Sequence, residues 1–196
     1  MSRPATILHD GGAMRAALVF TVVILAGFGA LYSLVGAGLG GVIFPTQARG
    51  SLIERDGSIV GSSLVAQPFT HARYFQPRPS AAKYDPMAAA GSNQSRSNPD
   101  MRKRVDEAIA EVAKRDGVAA ADVPADLVTQ SGGGLDPDIS PAGAQLQIAR
   151  VATARGLSPD AVARLVAEHT TPRQFGVLGE PRVNVLELNI ALDAAR

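Results

Sequence analysis

The sequence predicts one N-terminal transmembrane helix followed by an α+β extracytoplasmic domain. Three observations carry this. Residues 16–48 hold no charged side chain between Arg15 and Arg49. Three later segments each open with a capping residue before proline: Asn98-Pro99, Ser140-Pro141 and Ser158-Pro159. An Asp56-Gly57 pair lies between Leu52-Ile53 and Ile59-Val60.

A helix of about 20 apolar residues crosses the hydrocarbon core. The run from Ala16 to Phe44 exceeds that, so it can span with tilt. A cleaved signal peptide needs a shorter apolar region and a small-x-small site. Phe44-Pro45-Thr46-Gln47 supplies no such site. The expected division is a cytoplasmic tail over 1–15, a transmembrane helix over 16–44 and a soluble domain over 45–196. Arg3 and Arg15 precede the span, and Arg49 and Arg55 follow it, so the positive-inside count is tied. The free amino terminus tips the balance toward an N-terminus inside and the domain outside. Gly36 and Gly40 are four apart, with Gly29, Ser33 and Ala37 nearby. Small residues at this spacing admit a second helix, although glycine is also common in membrane helices.

Asp56-Gly57 suits a two-residue hairpin turn. Residues 67–99 hold five prolines at 68, 77, 79, 86 and 99 and predict a long irregular segment. The interleaved Phe69, Tyr74, Phe75 and Tyr84 predict that it is packed. The first helix of the domain places Met101, Val105, Ala108, Ile109 and Val112 on one face and stops at Asp116-Gly117. The second runs from Pro141 to Arg155, with Gly156 beyond it. The third sets Val162, Leu165, Val166 and His169 on one face. Residues 184–192 alternate like a strand, but Asn184 and Glu187 have capping-box spacing and favour helix. Leu127-Val128-Thr129 is a candidate short strand before Gly132-Gly133-Gly134.

The 19 basic and 18 acidic side chains leave a net charge of +1, which gives no argument for nucleic acid. Without cysteine there is no disulfide and no thiol nucleophile. The glycine run 131–136 lacks the lysine of a P-loop. Gly57-Ser58-Ile59-Val60-Gly61 misplaces the serine of a hydrolase elbow. His9, His71 and His169 form no metal-binding pair, so no metal site is expected. Asp136-Pro137-Asp138 can serve acid–base chemistry, or a turn complementing a helix dipole. Gly91 to Asn98 can bind a polar ligand or simply be solvated. No intrinsic catalytic site is visible.

Several runs resemble one family. Tyr74-Phe75-Gln76-Pro77-Arg78-Pro79-Ser80 is similar to its Tyr-Phe-x-x-Arg-Pro-Ser run. Gly91-Ser92-Asn93 with Ser97-Asn98-Pro99 resembles its polar loop, and 123–129 and 134–141 are similar to the segments that follow. Arg150-Val151-Ala152, Arg155-Gly156-Leu157-Ser158 and the run 179–189 complete the match in order. Asp138, Ala149 and Gln76-Pro77 depart from the residues common there. The family is the C subunit of the bacterial Kdp potassium-transporting ATPase.

The resemblance implies a non-catalytic subunit, single-pass in the inner membrane, of an ATP-driven potassium import complex. It implies two partners, a channel-like potassium subunit and a P-type ATPase subunit, besides the lipid bilayer. It implies a chaperone that supports ATP binding by the ATPase subunit, with no cofactor of its own and ATP at most shared. If nucleotide is contacted, the candidates are Gln147, Ser131 and Gly133. If the chain instead works through subunit contacts, the candidates are Gly36 and Gly40 within the membrane span and Arg78, Ser92, Asn93 and Asn98 in the domain outside it. A membrane-anchored extracytoplasmic enzyme and a peptide-binding scaffold are the alternatives.

Overall fold

The computed structural model describes residues 10–195. The part of the tail containing Arg3 and His9 lies outside the described residues. The chain forms two units, meeting between Ser51 and Leu52.

The first unit is a long helix. It comprises α1 (Asp10–Ile24), a π-helical segment (Leu25–Leu31) and α2 (Tyr32–Ile43), followed by the short α3 (Pro45–Ala48). The apolar stretch Gly12–Ile43 is 32 residues long, and none of its most apolar window is buried by the rest of the chain. A core helix would be covered by its own domain, and this one is not; at 1.5 Å per residue it rises about 48 Å, long enough to cross the roughly 30 Å of hydrocarbon. The widened turn falls on Leu25-Ala26-Gly27-Phe28-Gly29-Ala30-Leu31. Ser33 Oγ donates to the Phe28 carbonyl, five residues back, at 3.4 Å, and π-segments of this kind cluster at functional points of helices.

The second unit opens with a hairpin, β1 (Leu52–Arg55) and β2 (Ser58–Ser62). Asp56 and Gly57 have φ of 52° and 75°, as the two-residue turn requires. Glu54 faces Ile59 while Ile53 faces Gly61, leaving Val60 as a bulge. A Cβ at Gly61 would come within 2.7 Å of Leu186 Cδ2, so this glycine lets the hairpin lie close over the last helix.

Four helices follow: α4 (Pro99–Asp116), α5 (Pro141–Arg155), α6 (Pro159–Glu168) and α7 (Val185–Ala194). Each begins as its sequence predicts. The side chains of Asn98, Ser140, Ser158 and Asn184 accept from Asp100, Gly143, Ala161 and Glu187 backbone N–H groups. Gly117 and Gly156 take the left-handed conformation that ends α4 and α5. The reading of 184–192 as helix therefore holds from the cap onward.

The core is centred on α5, whose Ala144, Ile148, Val151 and Ala152 are buried. α5 packs against α4 and α6, and α7 packs against α6. Val112, Val162, Val166, Leu188 and Leu192 supply the facing apolar surface. The predicted face of α4 is confirmed by Val112, with Val105, Ala108 and Ile109 packed at the core edge.

A small antiparallel sheet lies against α5 and α7, with β5 (Arg182–Asn184) between β3 (Asp138–Ile139) and β4 (Thr170–Thr171). The strand expected at Leu127-Val128-Thr129 is absent. Ala125–Leu127 is instead a turn of 3-10 helix. Pro124 starts this turn, Thr129 N and Oγ1 both return to the Ala125 carbonyl, and Leu127 and Val128 are both buried. Two successive buried side chains break the alternation a half-buried strand needs.

Candidate functional site

The long segment 67–99 is packed, and the way it is held defines the site. Two carboxamides grip two successive residues of its backbone. Asn189 Oδ1 accepts from Phe75 N at 2.8 Å, and Asn189 Nδ2 donates to Phe75 O at 2.9 Å. Gln147 Oε1 accepts from Gln76 N at 2.8 Å, and Gln147 Nε2 donates to Gln76 O at 3.2 Å. Each carboxamide thus satisfies both polar groups of one residue, as a neighbouring strand would. Gln147 and Asn189 are 0% and 1% exposed. Between them Phe75 is sunk into the core, and the chain has nowhere to shift.

Arginines extend the grip. Arg150 Nη1 donates to the carbonyls of Ala72 and Tyr74 at 2.6 and 2.9 Å. Its Nη2 donates to Gln147 Oε1 at 2.7 Å and its Nε to Asp116 Oδ1 at 2.6 Å. Burial pulls the Arg150 guanidinium below its ordinary pKa, while the Asp116 carboxylate pushes it back up. Arg115 takes the second oxygen of Asp116 and also reaches Gln76 Oε1. Arg155 donates to Arg73 O, Leu192 O and Asp193 Oδ1 and lies over the Tyr74 ring. The Tyr74 hydroxyl donates to Asp193 Oδ2.

Beyond the grip, the segment meets the glycine loop. Ser131 N donates to Pro79 O at 3.2 Å, and Ser80 Oγ to Gly134 O at 2.6 Å. A Cβ on Gly91 would stand 2.5 Å from Gly132 O, and one on Gly134 would be 2.9 Å from Ala90 O. The glycines let two backbones touch. Tyr84 donates to Arg78 O, and burial raises its hydroxyl pKa.

The candidate residues therefore fall out as follows. Gln147 is buried with both ends of its amide engaged, and Ser131 is buried beside the loop it joins. Gly133, Ser92 and Asn93 are exposed on the two touching loops. Asn98 is spent on its cap. Arg78 pairs with Asp136 at 2.8 Å. A Cβ added at Gly36 or Gly40 would meet open space. His71 is exposed, and His169 Nδ1 lies 2.9 Å from the Leu165 carbonyl at the end of α6. Sequence reasoning missed Asn189, Asp116 and the partners of Arg150 and Arg155. The available signal was a carboxamide between apolar neighbours, at Leu146-Gln147-Ile148 and again at Leu188-Asn189-Ile190.

The residues Asp136 and Asp138 line an open cleft of about 530 Å³ with Arg78, Asp126 and Arg182. Asp136 serves a turn: its Oδ1 accepts from Asp138 N at 3.1 Å. Asp126 accepts from both N and Oγ of Ser140 and so orients the cap of α5. Burial raises the Asp138 carboxyl, opposed by Arg182 and reinforced by Asp136 and Glu187. A carboxyl whose folded pKa exceeds its unfolded one is protonated more readily in the native state. Its contribution is unfavourable above the folded pKa and fades as pH falls toward the unfolded value. Asp138→Asn is therefore expected to raise the melting temperature at pH 7, with the difference from the parent chain closing toward pH 4 in a series of melts. No group of three acidic or histidine side chains able to hold a metal occurs among the described residues.

Comparison with known proteins decides the family. A profile described as "KdpC: K+-transporting ATPase, c chain" matches residues 14–194. The chain belongs to this KdpC family. A Xanthomonas oryzae protein named "Potassium-transporting ATPase KdpC subunit" is 61% identical over 96% of this chain and 90% of its own length. Proteins of the same name from Gemmatimonas aurantiaca and Shewanella putrefaciens are 54% and 51% identical, over 92% and 94% of this chain and 92% and 91% of their own lengths. As a KdpC the chain is an accessory subunit of the Kdp potassium-transporting ATPase complex, and complex membership implies partner subunits. Its single N-terminal apolar helix is consistent with a single-pass membrane anchor.

Proposed function

We propose that this KdpC works outside the cytoplasm as an assembly subunit. It would support ATP binding by the P-type ATPase subunit through contacts with that subunit and the channel-like subunit. The carrying observation is the engagement of Gln147: its carboxamide is fully buried and spent on Gln76, Gly143 and Arg150. A nucleotide ligand needs free donors facing solvent. The exposed Ser92 and Asn93, with Arg78 partly exposed beside Asp136, are better placed for a protein partner. The second reading, direct nucleotide contact by Gln147, Ser131 and Gly133, rests on the exposed Gly133 at the tip of the glycine loop. It requires Gln147 to leave Gln76, with the segment 72–77 coming loose.

Topology separates the two, because the cytoplasm is where ATP is held. The chain contains no cysteine, so Ser92→Cys supplies a unique thiol on an exposed loop. A membrane-impermeant maleimide is expected to label it in intact spheroplasts. Labelling only after lysis would place the domain inside and defeat this reading.

A further inference from the structure

We infer that residues 174–178 form a docking finger whose Phe175 seats in an apolar pocket on the extramembrane surface of a membrane-embedded partner subunit of the same complex. This rests on the subunit reading above and names its contact point.

The connection from β4 to β5 holds a tight hydrogen-bonded loop. Gln174 N donates to Leu178 O at 2.8 Å, and Leu178 N returns to Gln174 O at 2.9 Å. Val177 N donates to Gln174 O at 3.2 Å, closing a turn across Phe175 and Gly176. Arg173 and Glu180 pair across its base at 2.6 Å. Yet the side chains it presents are apolar: Phe175, Val177 and Leu178 are 85%, 72% and 57% exposed. An ordered loop that holds three large apolar groups in water marks a contact surface.

The backbone points the same way. Phe175 has φ of 53°, and Gly176 has φ of 77°. Turns with positive φ at both central residues take asparagine, aspartate or glycine, and a bulky residue there is strained. Local chemistry therefore opposes phenylalanine at 175. Its side chain, not its backbone, accounts for its place, and strain of this kind gathers at ligand clamps.

The occupant follows from charge and area. A loop that enters lipid headgroups carries free cations beside its apolar tip. Here Arg173 is taken by Glu180, and Arg182 by Asp138 at 3.1 Å. The finger is neutral and suits a protein pocket. Three side chains also fall far short of the roughly 1,200 Å² that a stable free interface buries, so a second copy of this chain would not be held. A small contact works where another tether keeps the partners together, and the N-terminal span is such a tether.

The test uses the intact complex, isolated through a tag on this chain. Benzoylphenylalanine in place of Phe175 is expected to crosslink, on irradiation, to a membrane-embedded subunit identified by mass spectrometry. The same reporter in place of Met87, which is 93% exposed, is expected to give at least about tenfold less. Phe175→Asn is expected to raise the melting temperature of the isolated chain, because asparagine accepts the turn, while partner subunits wash away about tenfold faster. Crosslinking only to lipid or to a second copy overturns the inference, as does an unweakened complex with Phe175→Asn. If the parent chain itself brings down no partner subunit, the subunit reading fails first and takes the inference with it.

Discussion

Replacing Gln147 by alanine is expected to destabilise the second unit by about 3 kcal/mol or more, the two backbone groups of Gln76 and the freed Arg150 donor each costing about 1–3 kcal/mol when left without a partner. For a unit of this size that is a fall of roughly 10 °C or more in melting temperature. Denaturation of the full chain in detergent, followed by circular dichroism, measures it. The site cannot repair itself with water easily, because Gln147 is fully enclosed and sits between the apolar residues Leu146 and Ile148. Gln147→Glu separates the two halves of the grip. A carboxylate still accepts from Gln76 N and Arg150, but it cannot donate to Gln76 O or Gly143 O. About half the loss is expected to return. The nucleotide reading anticipates a further loss: ATP affinity of the complex falling with Gln147→Glu by more than its melting accounts for. That pattern would reassign Gln147 from holding the segment to holding the ligand.

The helices were legible in the sequence because their signals are local. Asn98, Ser140 and Ser158 cap the turns they precede, and Gly117 and Gly156 end the helices they follow. Each of these decisions is made within four residues. The three-stranded sheet was not legible, since β3 and β4 are two residues long and find β5 through pairing across more than forty and ten positions respectively. At Leu127 the apolar run pointed to strand, but Pro124 and the burial of both Leu127 and Val128 make a tight turn. The site divides in the same way. Gln147 was reached through resemblance, whereas its partner Gln76 lies 71 positions away, and Asn189 lies 114 from Phe75. Exposed Phe175 carries no periodic signal at all. Only its φ and its exposure bring it forward.

The second large effect is expected at Arg150. Its guanidinium touches Asp116, Gln147 and two carbonyls of the clamped segment, and so ties α4, α5 and that segment together. Arg150→Ala leaves the Asp116 carboxylate, whose side chain is 0% exposed, with Arg115 alone. Breaking a buried pair by removing one partner costs about 3–5 kcal/mol. Arg150→Lys should recover little, because one ammonium cannot span Asp116, Gln147 and the carbonyls of Ala72 and Tyr74 as the planar fork does. The pair itself is worth less than its breakage suggests. Removing both charges, as Arg150→Met with Asp116→Leu, takes away the orphaned carboxylate together with its partner. The double variant is expected to be more stable than the sum of the single losses by roughly 1–3 kcal/mol. A thermal-melt cycle over the four proteins measures this term. Strict additivity would mean that Asp116 and Arg150 act independently, and that the segment 72–77 is held by the carboxamides alone.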